Sequence, residues 1–257
     1  MQGNEQQAYD RGITIFSPDG RLYQVEYARE AIKRGTASVG VRTADGAVLA
    51  ADRQVQSSLV EQQSIEKLHR IDDHIAVASA GHVADARQLV DFAREQAQVN
   101  RLRYDEPIGV ESLAKEVTDY IQRYTQSGGV RPFGVALAMA GVDPDGTPHL
   151  FETDPSGTPY EWQALAIEAD RDGMQEYLEA HYEEGVDLEG GIELALGALA
   201  AANDGGITAE EVGIATIDAE SESFRDLASE EVEEYIEEFD LLAEKSEENG
   251  DDEDEAE

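Results

Sequence analysis

The stretch KRGTASVGVRTADGAVLAAD, residues 33–52, decides how the chain is read. TASVGVR and AVLAAD alternate around Ala44-Asp45-Gly46, and two such runs across a Gly-containing turn predict a hairpin. Thr36 opens that hairpin and Asp52 closes it, with Lys67 further along the chain. A threonine hydroxyl attacks a carbonyl only when a base removes its proton. An N-terminal threonine supplies that base itself, through an α-amino group with a pKa of about 8. Thr36 is preceded by 35 residues, so its nitrogen is an amide with no basic lone pair.

What lies upstream reads as structure. SPDG, residues 17–20, is a turn in which Pro18 pre-sets φ. RLYQVEYAREAIKRG then predicts a helix over 21–34, with Leu22, Val25, Ala28 or Arg29, and Ile32 at helical spacing. Lys33 and Arg34 suit the negative end of its dipole, and Gly35 is placed to end it. Cleavage before Thr36 would discard a turn and a helix, so the residues favour Thr36 as a β-branched opener of a strand. The rival reading is a hydrolase that processes itself before Thr36.

Further strands are predicted at KLHRI and HIAVASAG. Helices follow over 83–101, with Ala86, Leu89, Val90, Ala93 and Ala97 on one face, and over 109–126. FGVALAMAGV, HLFET and YEWQALAIEA read as strands, each separated by a Pro- and Gly-bearing turn. Helices over 172–182 and 188–203, strands at EEVGIATID and SESFRDL, and an acidic amphipathic helix over 229–244 complete the order. Strands and helices come in blocks rather than in βαβ alternation. Packed antiparallel sheets with helices outside, an α+β layered fold, are therefore expected. Residues 1–240 read as one domain with a polar tail over 1–12; residues 241–257 read as an acidic disordered tail.

The chain has 257 residues, 57 acidic and 19 basic, for a net charge of −38. Its last twelve residues hold eight acids, and −30 remains without them, so the acidity covers the folded surface. Such a surface repels itself at low salt and is screened within about 3 Å at molar salt. This is the surface expected of a protein adapted to a high-salt cytoplasm. No basic face for nucleic acid can be drawn, no apolar run is long enough for a membrane span, and no signal peptide opens the chain. Without cysteine there is no disulfide or thiolate chemistry. The histidines His69, His74, His82, His149 and His181 form no metal-ligand spacing, DPDGT at 143–147 lacks the later ligands of a calcium loop, and no P-loop or GxSxG elbow occurs. No metal or cofactor is expected.

YDRGITIFSPDGRLYQVEYAREAIKRGTASVGV, residues 9–41, resembles the N-terminal signature of archaeal proteasome α subunits. The resemblance continues through SIEKLHRIDDHIAVASAGHVADARQLVDFAR and YTQSGGVRPFGVALAMAGVD, then more loosely to about residue 240. It implies the four-layer αββα sandwich of N-terminal-nucleophile hydrolases, with an extra N-terminal helix. By resemblance, Thr36, Asp52 and Lys67 correspond to the catalytic residues of β subunits but stand in an inactive chain.

The same resemblance implies gate roles for Tyr9, Asp10, Arg11, Pro18 and Tyr27, over the pore of a seven-membered ring. It implies an activator pocket at Gly35, Lys67 and His82, where Lys67 meets the C-terminal carboxylate of an AAA ATPase tail. Gly128, Gly129, Val130, Arg131 and Pro132 correspond to a loop that narrows the inner channel. His82 and Ser127 depart from the family, which places an apolar residue and often a tyrosine there. The implied partners are other α subunits, β subunits, an ATPase ring and unfolded protein in transit, in the cytoplasm, without nucleic acid or membrane. Read without the family, Lys67 is a strand-edge lysine in solvent, Tyr9-Asp10-Arg11 a polar entry to a helix, and SGGVRP a helix-to-strand loop. The acidic surface predicts that stability against denaturant rises between about 0.1 M and molar salt, over which the screening length falls roughly threefold; equilibrium unfolding across that range measures it.

Overall fold

A computed structural model describes residues 16–55, 57, 59–126, 130–167, 171–203 and 206–241. Ser17–Gly20 forms the expected turn, closed by the Gly20 amide on the Ser17 carbonyl at 2.8 Å. The first helix, α1 (Tyr23–Ile32), buries Val25, Ala28 and Ile32 and leaves its charged residues outside. The Gly35 amide then bonds the Ile32 carbonyl, ending the turn where the sequence places a glycine.

Among the described residues, ten strands form two antiparallel five-stranded sheets. In one, β1 (Ser38–Arg42) lies between β2 (Gly46–Asp52) and β8 (Ala164–Ile167), while β9 (Val212–Asp218) and β10 (Ser223–Asp226) continue beyond β2. In the other, β3 (Leu68–Asp72), β4 (Ile75–Gly81), β5 (Val135–Val142), β6 (Pro148–Thr153) and β7 (Pro159–Glu161) pair in sequence order. Helices α2 (Val83–Tyr104) and α3 (Val110–Thr125) cover the second sheet through Leu89, Leu113, Val117, Ile121 and the outer faces of β4 and β5. Helices α4 (Arg171–His181) and α5 (Leu188–Ala201) cover the first, with α6 (Ser229–Glu238) beside them. The result is the expected αββα layering.

The layer between the sheets is lined by small side chains. Alternation turns Ala76, Ala78 and Ala80 of β4 and Ala136, Ala138 and Ala140 of β5 inward, against Ala47, Leu49, Leu165 and Ile217. The fit is tight enough that a Cβ on Gly40 would lie 2.7 Å from Leu150 Cδ1. The same period-two pattern sends the larger residues of β5, Val135, Leu137 and Met139, toward the helices.

Three expectations are corrected. The single strand expected over YEWQALAIEA is two: the Trp162 amide bonds Leu150 of β6, whereas the next carbonyl, Gln163, accepts from Arg42 of β1. The chain therefore changes sheets between those two residues. Helix α2 runs past residue 101 to Tyr104 and ends where Asp105 takes a left-handed conformation at φ +58°, its amide closing on the Arg101 carbonyl at 2.9 Å. Helix α6 stops at Glu238, short of the expected extent, of which residues 242–244 lie outside the described residues. Asp240 takes a left-handed conformation at φ +55°, and the Leu241 amide reaches back to the Ile236 carbonyl at 3.0 Å, a helix-terminating closure.

Gly40→Val forces a branched side chain against Leu150 across the inter-sheet layer. It is expected to cost about 1–3 kcal/mol, read from the denaturant midpoint at fixed salt.

Candidate functional site

Thr36, Asp52 and Lys67 come together at one end of the inter-sheet layer. Thr36 precedes β1, Asp52 ends its hairpin partner β2, and Lys67 precedes β3 of the opposite sheet. Lys67 is 6 % exposed, so a solvent-facing strand-edge lysine does not describe it. Its ammonium donates to the Thr36 carbonyl, to the Ala37 carbonyl at 2.7 Å and to Thr36 Oγ1 at 2.8 Å. Thr36 Oγ1 in turn donates its proton to the Asp52 carbonyl at 2.7 Å. The Asp52 carboxylate accepts from the Gln54 amide at 2.7 Å. Burial pushes this carboxyl up from its ordinary value, against the pull of the Gln54 amide and the Lys67 charge. Beside the cluster, Ser38 Oγ donates across the layer to the Ser79 carbonyl at 3.0 Å.

This arrangement brings the threonine and the lysine into contact. Among the described residues no base is seen to bond the threonine: its hydroxyl proton already has an acceptor, and the Lys67 ammonium donates in its bonds to Thr36 and Ala37. The nitrogen of Thr36 is the amide that follows Gly35.

Gly35 lies on the outer side of the same junction. A Cβ there would sit 3.0 Å from the Gly81 amide nitrogen, so the end of α1 and the end of β4 touch backbone to backbone. Gly81 adopts φ +111°, and a Cβ on it would collide with the Gly134 carbonyl oxygen. Only glycine fits both demands. His82 follows with its side chain 60 % exposed, and its amide donates to the Gly134 carbonyl at 2.8 Å. Gly35 and His82 are thus brought to one surface, around Gly81, while the Lys67 ammonium is turned inward to Thr36.

Of the gate residues, Pro18 is exposed at the tip of the Ser17–Gly20 turn, and Tyr27 stands half exposed on α1. Tyr9, Asp10 and Arg11 lie outside the described residues, as do Gly128 and Gly129. Val130 is partly exposed, Arg131 is exposed, and Pro132 is buried where the chain enters β5.

Two side chains that sequence reasoning did not single out organise this region. Asp154, in the loop after β6, accepts from Arg29 Nε at 2.9 Å and Nη2 at 2.7 Å, tying α1 to the second sheet. Asp85, in the first turn of α2, accepts from Arg131 Nη1 at 2.5 Å and Nη2 at 2.7 Å and from the Gly134 amide at 2.8 Å. Burial alone would raise the Asp85 carboxyl; the bonds from Arg131 and Gly134 outweigh it and hold the carboxyl below its ordinary value. An acid in a helix's first turn is common enough that its residue type gave no sign of this reach.

The family model described as "Proteasome subunit" matches residues 32–217, and a second model, the N-terminal signature of A-type proteasome subunits, matches residues 9–31. The alpha 2 proteasome subunit of Haloarcula marismortui is 71 % identical over 95 % of this chain and 100 % of its own length. The alpha 1 proteasome subunit of the same organism is 65 % identical over 99 % of this chain and 98 % of its own. The alpha proteasome subunit of Methanosarcina barkeri is 53 % identical over 93 % and 96 % respectively. The chain belongs to the proteasome subunit family, and within it to the α subunits of the proteasome core found in halophilic archaea.

Lys67→Met removes the donor shared by the Thr36 and Ala37 carbonyls without removing the bulk of the side chain. It is expected to lower stability by about 1–3 kcal/mol, measured by equilibrium unfolding against the wild-type chain.

Proposed function

We propose that this chain is the non-catalytic, gate-forming subunit of its proteasome core. It forms a heptameric outer ring, admits unfolded protein through its axial pore and docks an ATPase ring, while partner β subunits hydrolyse the peptide bonds. The observation that carries the non-catalytic part is the chemistry at Thr36. Its nitrogen is an amide, its hydroxyl proton is held by the Asp52 carbonyl, and Lys67 already donates to it. Helix α1, built and packed ahead of it, would be lost if the chain were cut there.

The gate consists of residues 1–12, the Ser17–Gly20 turn and Tyr27. Support for the turn's part is its rigidity: the Gly20 amide bonds the Ser17 carbonyl, and the Arg21 amide bonds Ser17 Oγ at 3.1 Å. A rigid proline at its exposed tip is a fixed support for a tail that takes one of two positions.

The docking site consists of Gly35, Lys67 and His82. The bare Gly35–Gly81 contact lets an incoming chain terminus approach the backbone closely. A carboxylate that reaches Lys67 draws its ammonium from the Thr36 and Ala37 oxygens, so docking acts on the junction between α1 and β1. The inner aperture is framed by residues 127–132. The acidic surface suits a high-salt cytoplasm.

Deleting residues 2–12 is expected to raise hydrolysis of a short peptide by the assembled α–β particle several-fold, with the ring intact by native mass; an unchanged rate would overturn the gating role. Intact mass of the purified protein separates the rival hydrolase, whose chain would begin at Thr36.

A further inference from the structure

Asp85 is 6 % exposed, lies outside the Thr36 cluster and is used by none of the roles above. Its carboxylate takes three donors from a segment 46 to 49 residues away in sequence: two from the Arg131 guanidinium and one from the Gly134 amide. Arg131 also donates from Nη1 to the Pro132 carbonyl at 2.9 Å, which folds the guanidinium back over its own backbone. On the other side of Gly134, its carbonyl accepts the His82 amide and blocks any side chain at Gly81. The chain from Arg131 to Gly134 is therefore held at both ends by polar contacts with one short stretch, Gly81–Asp85. A carboxylate that needed only to complement the helix dipole would lie over the free amides of its own first turn. This one reaches away from them.

We propose that Asp85 is a positioning residue for the inner aperture, holding Val130, Arg131 and Pro132 where they border the channel. The inference rests on the reading of residues 127–132 as the aperture and adds the group that holds one side of it. Charge-assisted, two-pronged bonding from a guanidinium carries direction as well as energy. Removing the carboxylate leaves the Gly134 amide and the Arg131 guanidinium without that acceptor, and the entry to β5 loses its tether to α2.

The test uses the assembled particle of this chain with its β partner, with residues 2–12 deleted so that the tail does not limit entry. Hydrogen exchange at the Gly134 amide and kcat/KM for a long unfolded chain and for a tripeptide are measured for wild type, Asp85→Asn and Asp85→Ala. In Asp85→Ala, exchange at the Gly134 amide is expected to accelerate by about tenfold or more, and the kcat/KM ratio of the long chain to the tripeptide to rise. Asp85→Asn, which keeps an acceptor for Gly134, is expected to fall between the two. Arg131→Gln, a change at a side chain 60 % exposed, tests the same contact if Asp85→Ala fails to fold, with the same direction expected. Unaltered exchange in these variants overturns the role of Asp85. Faster exchange with an unchanged ratio overturns instead the placement of residues 127–132 at the aperture.

Discussion

The close contact of two sheets through alanine methyls is the constraint on which the rest depends. In this layer Ala76, Ala78, Ala80, Ala136, Ala138 and Ala140 of one sheet pack against larger residues of the other, Leu49, Leu165, Ile167 and Ile217, so small faces large and the contact is dense. The bulk lies outside, where Leu89, Leu113, Met174 and Leu196 join helices to sheets. Because the sheets lie close, groups at the ends of β1, β2 and β3 can meet across the gap. Lys67 reaches Thr36 and Ala37 for that reason, and Ser38 reaches Ser79.

The meeting of Thr36 with Lys67 is thus a property of the sandwich as much as of any reaction. A scaffold of this kind presents a hydroxyl and an ammonium at the same corner whether or not the hydroxyl is ever used. Catalysis further requires a free amine at the threonine, which depends on what precedes the strand. Here α1 precedes it, packed on the second sheet by Val25, Ala28 and Ile32 and held to the loop after β6 by Arg29 and Asp154. The ammonium consequently serves as a cross-brace, bonding the Thr36 carbonyl and adding a second donor at the Ala37 carbonyl, which also accepts the Asp52 amide.

Much of this fold was legible in the residues. The SPDG turn, Gly35 at the end of α1, the hairpins around Asp45 and Asp73, and the apolar faces of α2 and α3 all follow from local periodicity and turn chemistry. Two features were not legible. YEWQALAIEA reads as one strand because local pattern says nothing of pairing partners, which lie at Leu150 for one half and Arg42 for the other. Asp85 and Arg131 are ordinary charged residues whose contact exists only once α2 and the entry to β5 are side by side. Lys67 shows a third kind of shortfall: family resemblance drew attention to it, yet a lysine before a strand carries no signal that its ammonium is turned to the interior.

The crossing between Trp162 and Gln163 has a mechanical consequence. β7 and β8 are the outermost strands of different sheets, joined with no slack between them. At the opposite edge the Phe224 amide of β10 bonds the Asp73 carbonyl in the turn between β3 and β4. The sandwich is therefore stitched along both margins, once by a covalent link and once by a hydrogen bond. A pull that peels β8 from β1 is transmitted directly to β7 and β6, so neither sheet can open as a separate unit at that margin. Partial unfolding is thereby steered toward the β10 edge and the outer helices, and under load the two sheets behave as one plate.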